Sequence, residues 1–99
     1  MVKYNLTYKA VKDLADIWDY SFQEWSEKQA DIYYDMLTAN CKRIAENPSW
    51  GKTYNGIAQN LFGLRTSRQI IFYRQIAENE IEVLRILHER MGMENRMLE

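Results

Sequence analysis

Two β-rich runs, Arg68–Ile76 and Ile81–Leu87, flank the polar stretch Ala77-Glu78-Asn79-Glu80. Aromatic and branched residues on both sides of a short polar break are the pattern of an antiparallel hairpin with a four-residue turn. This hairpin limits the fold more than any other segment, because a lone hairpin is at best marginally stable in water and needs a further surface to pack on. The rest of the chain must supply that surface.

The supply is helical. Val2, Tyr4, Leu6 and Tyr8 alternate with Lys3, Asn5 and Thr7, so residues 2–7 read as a strand. Thr7 then offers a hydroxyl cap to a helix over about 8–24. Val11, Leu14, Ala15, Trp18, Phe22 and Trp25 recur at helical spacing and read as its core stripe, with Lys9, Lys12, Asp16, Asp19 and Gln23 facing water. Ser26-Glu27-Lys28-Gln29 has the form of a capping box. A second stripe follows it: Ala30, Tyr33, Tyr34, Leu37, Cys41, Ile44 and Ala45. Asn47-Pro48 ends that helix, since a residue before proline avoids the α region. So short a connection makes an antiparallel helical hairpin. Residues 48–61 carry Pro48, Gly51 and Gly56 and read as a loop, and further strands fall at about 62–67, 69–76 and 81–87. The expectation is one α+β domain over residues 1–99, ordered β-α-α-β-β-β, its antiparallel sheet packed on the helical hairpin.

Strand alternation puts Ile81, Val83, Arg85 and Leu87 on one face and Glu82, Leu84, Ile86 and His88 on the other. In the preceding strand Ile70, Phe72, Arg74 and Ile76 oppose Ile71, Tyr73 and Gln75. Both faces carry bulky apolar groups, and two helices cover only one. The sequence therefore predicts an exposed apolar second face rimmed with arginine, the mark of a protein partner.

Charge is placed unevenly. Lys52, Arg65, Arg68 and Arg74 lie between Asn47 and Ala77 with no acidic residue among them, although the chain as a whole carries −1. A slightly acidic chain argues against general coating of nucleic acid and against direct DNA binding. The basic stretch suits an anionic group or an acidic partner. No run of eighteen apolar residues is present to form a spanning helix, and the alternating N-terminus reads as a strand rather than a signal peptide. The single cysteine, Cys41, forms no internal disulfide and fits a reducing, cytoplasmic setting. Asp13, Asp16 and Asp19, with Asp31 and Asp35, read as solvated helix acids. With one histidine and no calcium-loop pattern they make no metal site, and no cofactor motif is present. Cys41 with His88 reads as a core thiol and a strand-end imidazole rather than a catalytic dyad. Thirteen aromatics are many for this length; those at helical spacing read as core or hairpin-interface residues, and Trp50, in its loop, as a docking residue or a partner contact.

The ordered motifs carry a resemblance. Gly63-Leu64-Arg65, Ile71-Phe72-Tyr73-Arg74 and Arg85-Ile86-Leu87-His88-Glu89-Arg90-Met91 resemble the C-terminal motifs of the RelE/ParE toxin superfamily, in its ParE branch. Asp13-Leu14, Ile17-Trp18-Asp19-Tyr20, Gln29-Ala30 with Tyr33, and Asn47-Pro48 with Gly51 fall in the same order as in that branch. The chain departs from the pattern at Tyr8, where proline is common, at Gln69, where histidine is common, and at Gly92, where an acid is common. The resemblance implies a bacterial type II toxin that inhibits DNA gyrase by binding, without cofactor or turnover. It implies neutralisation by a cognate ParD-like antitoxin in a heterotetramer or larger assembly. Arg65, Arg68, Tyr73, Arg74, Arg85, His88 and Arg90 become the expected target- or partner-binding residues, with Arg85 the one expected to be buried and paired. Two alternatives stay open: a ribosome-dependent mRNA endoribonuclease of the RelE kind, in which His88 acts as acid or base, and an inactive toxin-like protein that binds antitoxin only.

Overall fold

The computed structural model describes residues 2–88 and follows the expected element order with one added strand. β1 (Lys3–Leu6) leads into α1 (Tyr8–Glu24) and α2 (Glu27–Glu46). The minimal strand β2 (Lys52–Thr53) follows, then β3 (Phe62–Thr66), β4 (Gln69–Ala77) and β5 (Glu80–His88). The sheet order is β1-β5-β4-β3-β2. β2 to β5 pair antiparallel, but β1 lies parallel to β5, with Leu6 opposite Val83, so the sheet is mixed rather than wholly antiparallel. The helical hairpin supplies the long crossover that a parallel neighbour requires.

Local chemistry sets the boundaries. The Thr7 Oγ1 accepts from the Ala10 N–H at 3.1 Å and donates to the Leu84 carbonyl at 2.8 Å, so one hydroxyl starts α1 and holds it to β5. Ser26 caps α2 by accepting from the Gln29 N–H at 3.1 Å. Asn47 closes α2, its N–H donating to the Arg43 and Ile44 carbonyls just before Pro48. The β4–β5 turn is tighter than the sequence suggests: Ala77 pairs with Glu80, leaving only Glu78-Asn79 between them. The difference is absorbed by a bulge that leaves Ile76 unopposed in β4.

A second bulge corrects the reading of the sheet faces. Phe72 opposes Arg85 and Tyr73 opposes Val83, so Leu84 is the extra residue in β5. Simple alternation fails there. Ile81, Val83 and Ile86 pack with the helices, whereas Leu84 and Leu87 join the opposite cluster.

The core under the helices combines Ala10 and Leu14 of α1, Leu37, Cys41 and Ile44 of α2, and Ile71 and Tyr73 of β4 with those β5 residues. The predicted stripe on α1 is displaced. The inward face is Ala10, Asp13, Leu14 and Ser21, while Val11, Phe22 and Trp25 are exposed. Small residues at the contact let α1 lie close to the sheet and turn the bulky stripe outward.

The expected bare second face is also corrected. Residues 54–61 fold over it and bury Ile70, Phe72 and Leu87 beneath Tyr54, Ile57 and Leu61. Tyr54 meets Phe72 edge-on at 5.2 Å. Its backbone N–H bonds the Leu61 carbonyl at 2.7 Å, which closes the loop. Gly63 makes room for this cover: a Cβ there would come within 2.6 Å of the Tyr54 ring. The conformational punctuation of the Gly63-Leu64-Arg65 motif is thus a packing requirement.

Cys41 generates a test. Burial pushes its thiol from 9.0 up to about 12. The folded state prefers the neutral thiol, so this contribution to stability is complete below pH 9.0 and is lost as pH rises towards 12. Chemical denaturation at stepped pH should show stability falling above that point by up to about 1.4 kcal/mol per pH unit from this group. Cys41→Ala should lower stability at neutral pH and flatten the alkaline fall. An equally steep fall in the variant would show that Cys41 is not responsible.

Candidate partner interface

The basic residues singled out in the sequence do not form one patch. β3 and β4 direct Arg65 and Arg74 to exposed positions, and Arg74 is held by Glu82 across the β4–β5 ladder, with Nη2 to Oε1 at 2.8 Å. Arg68 stands exposed in the β3–β4 turn beside Ser67, whose φ of 55° places it in the left-handed region. His88, half-buried, closes β5 opposite Gln69. Arg90 lies outside the described residues.

Two of the expected partner residues lie inside the fold: Tyr73, against expectation, and Arg85, buried and paired as its place between Val83 and Leu87 predicts. Tyr73 is fully buried; its hydroxyl accepts from the Gly51 N–H and donates to the Pro48 carbonyl, both at 2.8 Å. Burial raises its pKa, against a smaller lowering by the Gly51 hydrogen bond. Arg85 is 7% exposed and pairs with Asp13, Nε to Oδ2 at 2.8 Å and Nη2 to Oδ1 at 3.0 Å. The same carboxylate accepts the Ile86 N–H at 3.0 Å. Neither side chain is available to a partner in this fold. Asp13 also overturns its reading as a solvated acid. The signal was its place beside Ala10, Leu14 and Ser21, a face of small and aliphatic residues into which Asp16 and Asp19 do not fall.

What the fold does assemble is a mouth between the tip of the helical hairpin and the end of the sheet. Its volume is about 680 Å³. From the helices come Ile17, Tyr20, Trp25 and Tyr33, with Asp16 and Gln29. From the sheet come Arg68, Gln69, Ile86, Leu87 and His88. Tyr20 and Trp25 meet edge-on at 6.2 Å. The Tyr33 hydroxyl donates to the Gln69 side-chain oxygen, bridging helix to sheet at the position where the chain departs from its resembled pattern. An aromatic wall facing a guanidinium and an imidazole suits a peptide segment with an apolar anchor and a carboxylate. Tyr20, Trp25 and Gln29 were not singled out as partner residues; their exposure depends on how α1 is rotated, which stripe spacing alone does not fix. Trp50, by contrast, docks at the end of α2, with the Arg43 guanidinium 5.1 Å from its ring centre.

Comparison with known proteins places this architecture. Residues 4–93 match the model of the ParE toxin of the type II toxin–antitoxin system, parDE. The chain belongs to the ParE toxin family. It is 34% identical over 92 residues to toxin ParE1 of Caulobacter vibrioides, covering 93% of this chain and 94% of that protein. It is 32% identical over 95 residues to toxin ParE1 of Mycobacterium tuberculosis, covering 96% and 97% respectively. The fold is similar to a chain of the chromosomal ParDE toxin–antitoxin system from P. aeruginosa, with a TM-score of 0.75, 20% identity, and coverage of 89% of this chain and 96% of that one.

Among the described residues of this ParE-family toxin, no group of three or more His, Cys, Asp or Glu is placed to hold a metal. No helix of the described chain is long and apolar enough to cross a membrane.

The two ion pairs should behave differently on mutation. Breaking the buried pair through Asp13→Ala or Arg85→Met should cost about 3–5 kcal/mol, because the surviving charge is left desolvated. The double variant Asp13→Leu with Arg85→Met should cost clearly less than the sum of the single changes. Arg74→Ala, with its side chain 60% exposed, should cost under about 1 kcal/mol. Urea unfolding of the set measures these differences, and equal losses at the two pairs would contradict the assignment.

Proposed function

We propose that this toxin arrests growth by binding DNA gyrase in the cytoplasm and is held inactive by a ParD-like antitoxin, the two assembling as a heterotetramer or larger complex. Membership of the ParE family carries the reading, and the aromatic mouth is the observation on this chain that supports a binding function. The mouth, about 680 Å³ and lined by aromatic and apolar side chains with a few polar groups, has the size and lining of a ligand-binding cleft, and an antitoxin segment that seats an apolar side chain against Tyr20 and Trp25 with a carboxylate towards Arg68 fits its chemistry. Such a segment, disordered alone, would order on binding. Arg65, Arg68, Arg74 and His88, with Arg90 beyond the described residues, are proposed to meet the target. A binding mode rather than nuclease chemistry is favoured by the arginines themselves: Arg85 is committed to Asp13 and Arg74 to Glu82, which leaves a thin set for stabilising a phosphorane.

The test is induction of the chain in bacteria with and without the neighbouring small gene, followed by a supercoiling assay with purified toxin. Growth should stop, recover with the second gene, and be matched by loss of gyrase supercoiling in vitro. Neutral swaps at Arg65, Arg68 and Arg90 should weaken toxicity several-fold, whereas Asp35→Asn should leave it unchanged. Trp25→Ala should weaken antitoxin binding by about 2 kcal/mol, the size expected of an aromatic anchor. Intact supercoiling together with ribosome-dependent mRNA cleavage would favour the endoribonuclease reading, and absence of toxicity with antitoxin binding retained would favour the inactive form.

A further inference from the structure

α1 carries a second apolar stripe that its own fold leaves uncovered. Tyr8 is 86% exposed, Val11 51% and Phe22 47%, with Ala15 exposed between them and Trp18 half-buried. Spacings of three and four residues align these five along one line of the helix, about 21 Å long at 1.5 Å per residue. Trp18 and Phe22 stack at 5.3 Å, and the Trp18 Nε1–H donates to Asp31 of α2 at 3.0 Å, so the stripe is an ordered surface. Ile32 of α2, 53% exposed, adds apolar area to the outer side of the hairpin.

We propose that this stripe is a self-association surface, on which α1 of a second copy packs antiparallel about a two-fold axis near Ala15. The arrangement of side chains argues for that occupant. The stripe is centred on its smallest residue and ends in an aromatic ring on each side, so reversal sets Tyr8 against Phe22 and Ala15 against Ala15, with Val11 beside Trp18. Ala15 at the crossing permits the close axial approach that helix packing needs, since that distance is set by the side chains at the contact. A two-fold interface must be self-complementary in this way.

Charge selects the direction. Lys12 and Asp19 are seven residues apart and therefore share one flank of the stripe; Lys9 and Asp16 form a second row beside them. In antiparallel two-fold packing, like flanks face one another. Lys12 of each copy then lies beside Asp19 of the other, giving two equivalent ion pairs. A parallel two-fold would set unlike flanks together, so the Lys12–Asp19 row of one copy would not meet that of the other and neither pair would form. The surface lies on the outward side of α1 and is independent of the target assigned to the toxin.

Sedimentation velocity of the purified full-length chain, with cysteine cross-linking, tests the proposal. The native chain should show concentration-dependent dimerisation. Lys12→Asp and Asp19→Lys should each weaken dimerisation at least several-fold, and the double exchange should restore it, because both charges reverse together in each copy. Circular dichroism should be unchanged, since both positions are exposed. Ala15→Cys should form a disulfide-linked dimer under mild oxidation, while the native chain, whose Cys41 is buried, should not. A native chain monomeric at all concentrations, no coupling through Ala15→Cys, or failure of the double exchange to restore association would each overturn the proposal. So would an Ala15→Cys thiol that is free in the toxin alone and becomes protected only when antitoxin binds, which would assign the stripe to the antitoxin.

Discussion

The fold turns on the place where β1 stops and β5 continues. β1 pairs with β5 only as far as Leu6 opposite Val83, and the next residue, Thr7, turns the chain into α1. Beyond that point the edge of β5 loses its strand partner while the sheet is already beneath the helix. Asp13 supplies the missing acceptor. Its carboxylate takes the Ile86 N–H and the Arg85 guanidinium together, at 2.8–3.0 Å. A charge pair this dry yields little net stability compared with an apolar contact. What it provides is position: the bulge at Leu84, the rotation of α1 and the close approach of Ala10 and Leu14 to the sheet are mutually consistent with Asp13 at that edge.

Two consequences follow on opposite sides of the sheet. On the helix side, the fixed rotation of α1 turns its small residues inward, leaves the aromatic stripe outside, and carries Tyr20 and Trp25 to the mouth beside Arg68 and His88. On the other side, no helix is available, and the chain uses residues 54–61 instead. That cover depends on Gly63, which allows the Tyr54 ring to rest on β3; Gly51, where a Cβ would come within 2.5 Å of the Tyr73 hydroxyl, instead lets the segment after α2 close on the helix-side core. The family motifs thus divide by physical role. Gly63, Tyr73 and Arg85 hold the fold, whereas Arg65, Arg68 and His88 remain on its surface or rim.

Periodicity and capping chemistry made most of the architecture legible. Thr7, Ser26 and Asn47-Pro48 mark helix ends through bonds formed within a few residues, and the β4–β5 hairpin is announced by its flanking runs. What stayed hidden depends on contacts between distant segments. The pairing of Asp13 with Arg85 spans 72 residues, and nothing local separates Asp13 from Asp16 or Asp19 except the face it shares. The bulge at Leu84 reverses the alternation of β5 without a glycine or proline to signal it. α1 has apolar residues on two faces, so spacing alone could not say which would meet the sheet. The candidate site was legible in part for the same reason: Arg68 and His88 follow from strand ends, but the aromatic wall opposite them depends on the rotation of α1.

The central claim is that Asp13 replaces a strand partner at the β5 edge and thereby fixes the helical layer. Amide hydrogen exchange at Ile86, followed residue by residue, tests it directly. The account predicts that this N–H exchanges only on global unfolding in the native chain, and that under conditions where Asp13→Ala remains folded it exchanges through local opening while the Ile71 and Tyr73 amides stay protected. Rapid exchange at Ile86 in the native chain, or protection unchanged by Asp13→Ala, would contradict it.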